Sequence, residues 1–169
     1  MKFSWWKLVV GFLLFIGHHQ IYEVLGDTVL GKLLGEGIES VYPHMKMLFF
    51  AYLAISVIDF FIQRRKGTLG SSFLYARMLI LAAAPWMMIA IFYIPDALGY
   101  HPTGLVEILW GIIMTLVGVY LCICREEPLD NMPLRGGTKA VIALAFVGTV
   151  ITYAGFSFHV PDNFFYVDR

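Results

Sequence analysis

The chain has 169 residues, of which 59% are hydrophobic and only 14% are charged. A soluble domain is usually about half apolar and about a quarter charged, and a domain of this length buries only about 70% of the surface that its unfolded chain exposes. The composition therefore excludes a soluble enzyme, a disordered chain and a nucleic-acid-binding protein. Basic and acidic residues balance at twelve each, so no overall field attracts an anionic partner. The remaining class is a small multi-pass membrane protein, with the lipid bilayer as its first partner.

Apolar runs of about 18 or more residues are typical of membrane-spanning helices, and the chain contains five of them. They predict an all-α fold with a single integral membrane domain over residues 1–169. The predicted spans cover approximately residues 5–25, 44–63, 72–94, 105–124 and 140–158.

The connection between the first two spans has a pattern of its own. Apolar residues recur at helical spacing between Val29 and Ile38, and Asp27 stands where it would cap a helix. This pattern predicts a short amphipathic helix on the outer surface of the membrane. Because the glycines at positions 31, 35 and 37 weaken a helix, a flexible or re-entrant loop is the alternative.

The lysines and arginines of the connecting segments predict the orientation. The second connection carries the basic run 64–66, and the fourth carries Arg125, Arg135 and Lys139. The third connection, residues 95–103, has neither Lys nor Arg. Since basic loops stay in the cytoplasm, we expect the N-terminus inside and the C-terminus outside.

The histidines all fall in the outer half of this topology. They are His18, His19, His44, His101 and His159. Imidazole and carboxylate ligands in one water-accessible pocket are what a zinc, iron or manganese site requires. The sequence therefore predicts an outward-facing His/Glu site for a divalent transition metal, with zinc among the candidates.

Spacing selects the centre of this predicted site. His19 and Glu23 are four residues apart and share one face of a helix. His44 opens the second span, which is expected to pack antiparallel to the first. We expect His18, His19 and His44 to be metal ligands and Glu23 to be a further ligand or the general base.

Four further residues are expected at the same cavity. Glu39 and Ser40 directly precede the second span, and we assign them as an alternative general base and an oxyanion donor. Glu107 lies near the outer start of span four, and His159 follows span five. We expect Glu107 to serve as a catalytic carboxylate and His159 as an additional ligand.

Two other interpretations of the outer histidines stay open. Histidines near a membrane interface often only hydrogen-bond to headgroups, carbonyls or neighbouring helices. Ionisable residues within a membrane also form proton relays or ligand-binding sites. The sequence does not choose among these roles.

Small residues recur along one face of each of the last two spans. Span four carries Gly111 and Gly118 beyond Glu107, and span five carries Gly148 and Thr152. Small residues at this spacing allow helices to approach closely. We therefore expect the two faces to pack together, with Glu107 turned towards span five and away from lipid.

Asp59 and Arg77 are placed at similar depths at the cytoplasmic ends of spans two and three. Isolated charges at that depth are costly. We therefore expect an ion pair between them. A place for Asp59 in a proton path is the alternative.

The segment 39–44 has the sequence Glu-Ser-Val-Tyr-Pro-His, and the C-terminal tail contains Pro161. In these two elements the chain resembles an uncharacterised family of small bacterial multi-pass membrane proteins that have a Glu-Ser-Val-x-x-His element. That resemblance implies a fold and a bacterial cytoplasmic membrane, but no activity. Ser40-x-x-x-His44 is also similar to an element of ceramidase-type membrane hydrolases, in which it contributes to an intramembrane zinc site. Those hydrolases have seven helices and a second His-x-x-x-His element near the C-terminus, where this chain has only His159.

Two functions of different classes follow. The first is a metal-dependent hydrolase of a lipid or lipid-linked substrate. The second is a non-catalytic transporter of a small molecule or ion, or the binding subunit of a membrane complex. Transporters commonly contain internal repeats, which this sequence lacks. Transport by five spans would therefore need a homo-oligomer or another partner.

Overall fold

The computed structural model describes residues 3–35 and 41–159. Within these ranges the chain forms helices and connections, without β-strands. Five helices are long and apolar enough to cross a membrane, namely α1, α3, α4, α6 and α7. This confirms the predicted all-α fold with five spanning helices and fits a multi-pass integral membrane protein. The helices are α1 (Trp5–Leu25), α2 (Val29–Leu34), α3 (Val41–Lys66), α4 (Phe73–Phe92), α5 (Ile94–Ala97), α6 (Leu105–Asp130) and α7 (Gly136–Phe158).

The helix ends differ from the predicted spans where charged residues begin. Helix α1 has the predicted bounds, but α3 continues through the basic run to Lys66 and α6 continues to Asp130. Charges end an apolar run without ending a helix, because backbone hydrogen bonding continues into the headgroup region. The additional turns of α6 carry Glu126 and Asp130 into the bundle, where both are buried.

Helices α3 and α4 form the centre of the bundle. Helix α4 packs against α3, α6 and α7, and α1 packs against α3 and α6. The core includes Leu48, Tyr52 and Ile55 of α3 and Val119 of α6, which are at most 1% exposed. Large apolar side chains cover much of the outside, as expected of helices that contact lipid.

The predicted packing of the two small-residue faces against each other is wrong. Helices α6 and α7 each pack chiefly against α4. The main neighbour of each is therefore α4 and not the small-residue face of the other helix. Gly118 does allow a close approach, because a Cβ there would lie 3.2 Å from Leu48 and 3.3 Å from Met88. A Cβ at Gly111 or Gly148 would meet nothing within 4 Å.

The short helix predicted between the first two spans is present as α2, but its N-terminal cap is Thr28 and not Asp27. The Thr28 hydroxyl accepts a hydrogen bond from the backbone N–H of Gly31 at 3.1 Å. Asp27 instead accepts one from the Tyr22 hydroxyl at 2.5 Å. Gly31 permits the tight turn, because a Cβ there would lie 2.1 Å from the carbonyl oxygen of Gly26.

Lys46 fixes α2 to the rest of the bundle. This residue is fully buried. Its Nζ donates to the carbonyl oxygens of Lys32 and Gly35, both at 2.9 Å, and to the Ser157 hydroxyl at 3.0 Å. One ammonium thus joins the end of α2 to α3 and α7.

Candidate functional site

The bundle has two chemically different ends. At the basic end, α1, α4 and α7 begin while α3 and α6 end; the opposite end carries the histidines and is called the histidine end. Five charged residues from four helices meet at the basic end, and each residue is at most 7% exposed. This charged network consists of Lys7, Asp59, Arg77, Glu126 and Asp130.

Lys7 joins α1 to the two neighbouring helices. Its Nζ donates to Asp59 Oδ2 of α3 at 2.6 Å and to Glu126 Oε2 of α6 at 2.5 Å. The Lys7 side chain is only 4% exposed, so both contacts are buried. An ammonium that would ordinarily extend to the membrane surface is held inside the bundle.

Arg77 of α4 binds the same carboxylates from the other side. Its Nη1 and Nη2 donate to the two carboxylate oxygens of Asp130 at 2.7 and 3.1 Å. Nη2 also donates to Asp59 Oδ2 at 3.0 Å and lies 3.6 Å from Glu126 Oε2. The predicted Asp59–Arg77 ion pair is therefore confirmed, as one contact in a larger network.

Two neutral side chains complete the contacts of the network. The Tyr52 hydroxyl donates to Glu126 Oε1 at 3.0 Å, and the Gln63 amide donates to Asp59 Oδ2 at 2.8 Å. Asp59 Oδ2 thus accepts from Lys7, Arg77 and Gln63. Asp59 Oδ1 accepts no hydrogen bond from the part of the chain that the structure describes.

A cavity of about 360 Å³ adjoins the network. Four of the five charged residues line it, whereas Arg77 lies behind them. Its other polar walls include Ser4, Gln63 and Asn131, and Phe3 and Trp6 supply aromatic surface. This cavity, here called the polar pocket, has the volume of a small-molecule site, and most of the residues that line it are polar or charged.

Stability alone does not account for the charged network. Removing ions from water costs several kcal/mol each, and a well-packed apolar replacement for a buried ion pair is often neutral or stabilising, by about 1–4 kcal/mol. Ionisable residues within a membrane protein commonly mark a ligand, ion or proton pathway. The network beside the pocket is therefore the strongest candidate site in the described part of the molecule.

Sequence reasoning missed three members of the network. Lys7 lies within the first predicted span but has no predicted role, and Glu126 and Asp130 fall between the predicted spans 105–124 and 140–158. One signal was present, since Cys122, Glu126 and Asp130 follow one another at four-residue steps and so share a helical face. All three are buried on α6.

At the histidine end, two of the predicted ligands come together. The rings of His19 and His44 are 5.7 Å apart between centroids and nearly perpendicular, at 73°. His18 stacks on Phe50 at 6.0 Å, and its Nδ1 lies 2.7 Å from the carbonyl oxygen of Leu14. All three histidines are partly buried. The predicted approach of α1 and α3 at this end is thus present.

The other predicted site residues do not join this pair. Glu23 is exposed on the last turn of α1, and His159 is exposed directly after α7. Glu107 is partly buried in the first turn of α6. Glu39 and Ser40 lie outside the described residues. Within residues 3–35 and 41–159, His, Cys, Asp and Glu form no group of three or more that could hold a metal ion.

Comparison with known proteins identifies no relative. No protein-family model, no curated protein and no solved structure matches the chain. The two resemblances given by the sequence elements therefore stay predictions.

The two ends differ in what they can do chemically. The histidine pair offers nitrogen donors from two helices, which is half of a four-coordinate metal shell. The basic end offers both signs of charge, neutral hydrogen-bonding groups and an aromatic wall around a formed cavity. Binding of a small charged solute is the chemistry that the basic end suits.

Proposed function

We propose that the protein is a non-catalytic membrane protein that binds a small charged solute in the polar pocket, as a transporter or as the binding subunit of a membrane complex. The observation that carries this proposal is the buried charged network beside a cavity of about 360 Å³. Small-molecule sites are concave and combine apolar walls with a few convergent polar groups.

The distribution of Lys and Arg supports access to the pocket from the cytoplasm. Lys66 lines the pocket, and Arg64 and Arg65 precede it on the last turn of α3. Basic residues concentrate on the cytoplasmic side of membrane proteins. We propose that the pocket opens to the cytoplasm and that the membrane is a bacterial cytoplasmic membrane.

Ionisable groups at both ends of the same helix pair support transport. Helix α1 contributes Lys7 to the basic end and His19 to the histidine end, and α3 contributes Asp59 and His44. The buried core between these ends includes Phe15 and other apolar residues of α1 and α3. A path along this interface would have to open through this core. A second copy of the chain is the partner expected to complete such a path.

Equilibrium dialysis of the purified chain tests solute binding directly. The protein in detergent is dialysed against a defined mixture of small cationic, anionic and neutral solutes, and the retained solutes are measured by mass spectrometry. We expect one charge class to be retained by the wild-type protein and lost in Asp59→Asn. No retention of any class, with a folded protein, would leave the network a purely structural feature.

A metal-dependent membrane hydrolase is the second candidate, and the His19–His44 pair is the observation that favours it. In this proposal His19 and His44 supply two ligands to a divalent transition metal such as zinc, whose bound water would attack a lipid or lipid-linked ester or amide.

Metal analysis separates this candidate from the first. A hydrolase would purify with nearly one equivalent of transition metal, and His44→Ala would lose it. His101→Ala is the matched control, because His101 is exposed and pairs with Asp96 at 2.7 Å. Unchanged metal content in His44→Ala would reject the metal site.

A further inference from the structure

The charged network has more negative than positive groups. Among the described residues it contains two cations, Lys7 and Arg77, and the three carboxylates of Asp59, Glu126 and Asp130. At the pocket mouth, Lys66 and Glu127 balance each other. The formal excess is therefore one negative charge, which favours a positively charged ligand.

Most donors of the two cations are already committed to carboxylates, and the Arg77 Nε, which has no partner among the described residues, is buried away from the pocket. Lys7 uses two of its three donors on Asp59 and Glu126. Arg77 does not line the pocket, and its two terminal nitrogens donate to Asp59 and Asp130. An anion in the pocket would approach three carboxylates and would find few free hydrogen-bond donors on the two cations.

Asp59 offers the vacant acceptor that a cationic donor needs. Its Oδ2 accepts three hydrogen bonds, but its Oδ1 accepts none from the described residues. Asp59 is only 4% exposed and lines the pocket. Oδ1 is not among the buried unpaired atoms of the described residues, so it is open to the pocket, where its lone pairs can accept an N–H group from a ligand.

The walls favour an organic cation over a metal ion. Phe3, Trp6, Ile62 and Ile123 give the pocket an apolar and aromatic side. A water occupies about 30 Å³, so the cavity is far larger than a bare ion requires. Aromatic faces also attract organic ammonium groups.

We propose that the polar pocket binds a small organic ammonium ion, whose N–H group donates to Asp59 Oδ1 and whose carbon chain lies against Trp6 and Phe3. This inference rests on the proposed function and names its ligand class. Two sources share this chemistry: a free amine from the cytoplasm and the ethanolamine headgroup of a phospholipid.

Thermal unfolding of the purified full chain with matched ligands tests the proposal. The probes are n-butylamine, n-butanol and butyrate at equal ionic strength and constant pH, in an amine-free buffer and detergent. We expect n-butylamine to raise the melting temperature in a saturable manner, and the alcohol and the carboxylate to leave it unchanged. In Asp59→Asn the affinity for the amine should fall about tenfold or more, because the amide keeps an acceptor oxygen but loses the negative charge that attracts the ammonium group.

Asp27→Asn is the matched control, since it makes the same carboxylate-to-amide change at the histidine end of α1, at a carboxylate that accepts from Tyr22. It should keep the full response to the amine. If Asp59→Asn does not fold, the responses of the wild-type protein to the amine, the alcohol and the carboxylate still test the proposal. A shift by butyrate would overturn the ammonium assignment but leave the solute-binding function in place. No shift by any probe, together with no solute retained in dialysis, would overturn both.

Nanodiscs distinguish the two sources of the ammonium group. In discs of phosphatidylglycerol alone, the free amine should stabilise the protein. If the protein in discs of phosphatidylethanolamine is already stabilised before any amine is added and shows no further response to n-butylamine, the headgroup is the ligand. If the response to the amine persists there, the ligand is a soluble amine. A protein that responds to amine in neither disc contradicts the proposal.

Discussion

Replacing Arg77 with methionine removes the cation that holds three carboxylates together. Arg77 is 3% exposed and donates to Asp130 at 2.7 and 3.1 Å and to Asp59 at 3.0 Å. Methionine keeps much of the apolar volume but none of the donors. Breaking a buried ion pair by removing one partner costs about 3–5 kcal/mol. We expect Arg77→Met to lower the free energy of unfolding by about this amount.

A second substitution tests whether the cost comes from unpaired carboxylates. Asp130→Asn in the Arg77→Met background removes one of the uncompensated charges, so it should recover part of the lost stability. Direct contacts give coupling energies of about 0.5–3 kcal/mol in double-mutant cycles. We expect a coupling in this range between the two positions.

Unfolding by sodium dodecyl sulfate in mixed micelles, followed by tryptophan fluorescence, measures these differences. Arg125→Met is the matched control, because Arg125 is exposed on the same end of α6 as the network. Its effect should stay within about 0.5 kcal/mol. Equal unfolding midpoints for Arg77→Met and Arg125→Met would refute the buried network.

Three further predictions concern the rest of the molecule. In a cysteine-free background, a single cysteine at Asp96 should react with an impermeant thiol reagent in intact cells and one at Gly67 should not; the reverse pattern would invert the orientation. Gly31→Ala should destabilise the protein, because its Cβ would lie 2.1 Å from a carbonyl oxygen. Gly17→Ala meets open space and should be neutral or stabilising by about 0.5–1 kcal/mol, and thermal unfolding compares the two variants. Lys46→Met should speed amide hydrogen exchange in α2, whose carbonyls it releases, and equal exchange in both proteins would contradict the anchoring role.

Run length and apolar composition were sufficient to predict the five spanning helices, because the bilayer requires about 20 apolar residues in each. They were insufficient for helix ends and helix neighbours. The charged turns of α6 belong to the helix and to the core, although their composition resembles a loop. Gly111 and Gly148 were expected to mark a contact, but small residues do not specify which helix lies opposite.

The sequence predicted a contact of the candidate site only where both contacting residues lie within or at the end of a predicted membrane span. Asp59 and Arg77 met this condition, so the cost of isolated charges was enough to pair them. The approach of His19 and His44 likewise followed from two antiparallel neighbours. The positions of Lys7 and Glu126 depend on how α1 and α6 rotate about their axes, which tertiary packing decides.

Isothermal titration of the wild-type protein with n-butylamine tests the central claim most directly, since it measures occupancy of the polar pocket without any assumption about transport. Asp59→Asn serves as the paired titration, after its folding has been verified by circular dichroism. We predict a saturable heat with one site per chain in the wild type and its loss in the variant. A wild-type heat no different from dilution, or an equal isotherm in both proteins, would contradict an ammonium site at the charged network.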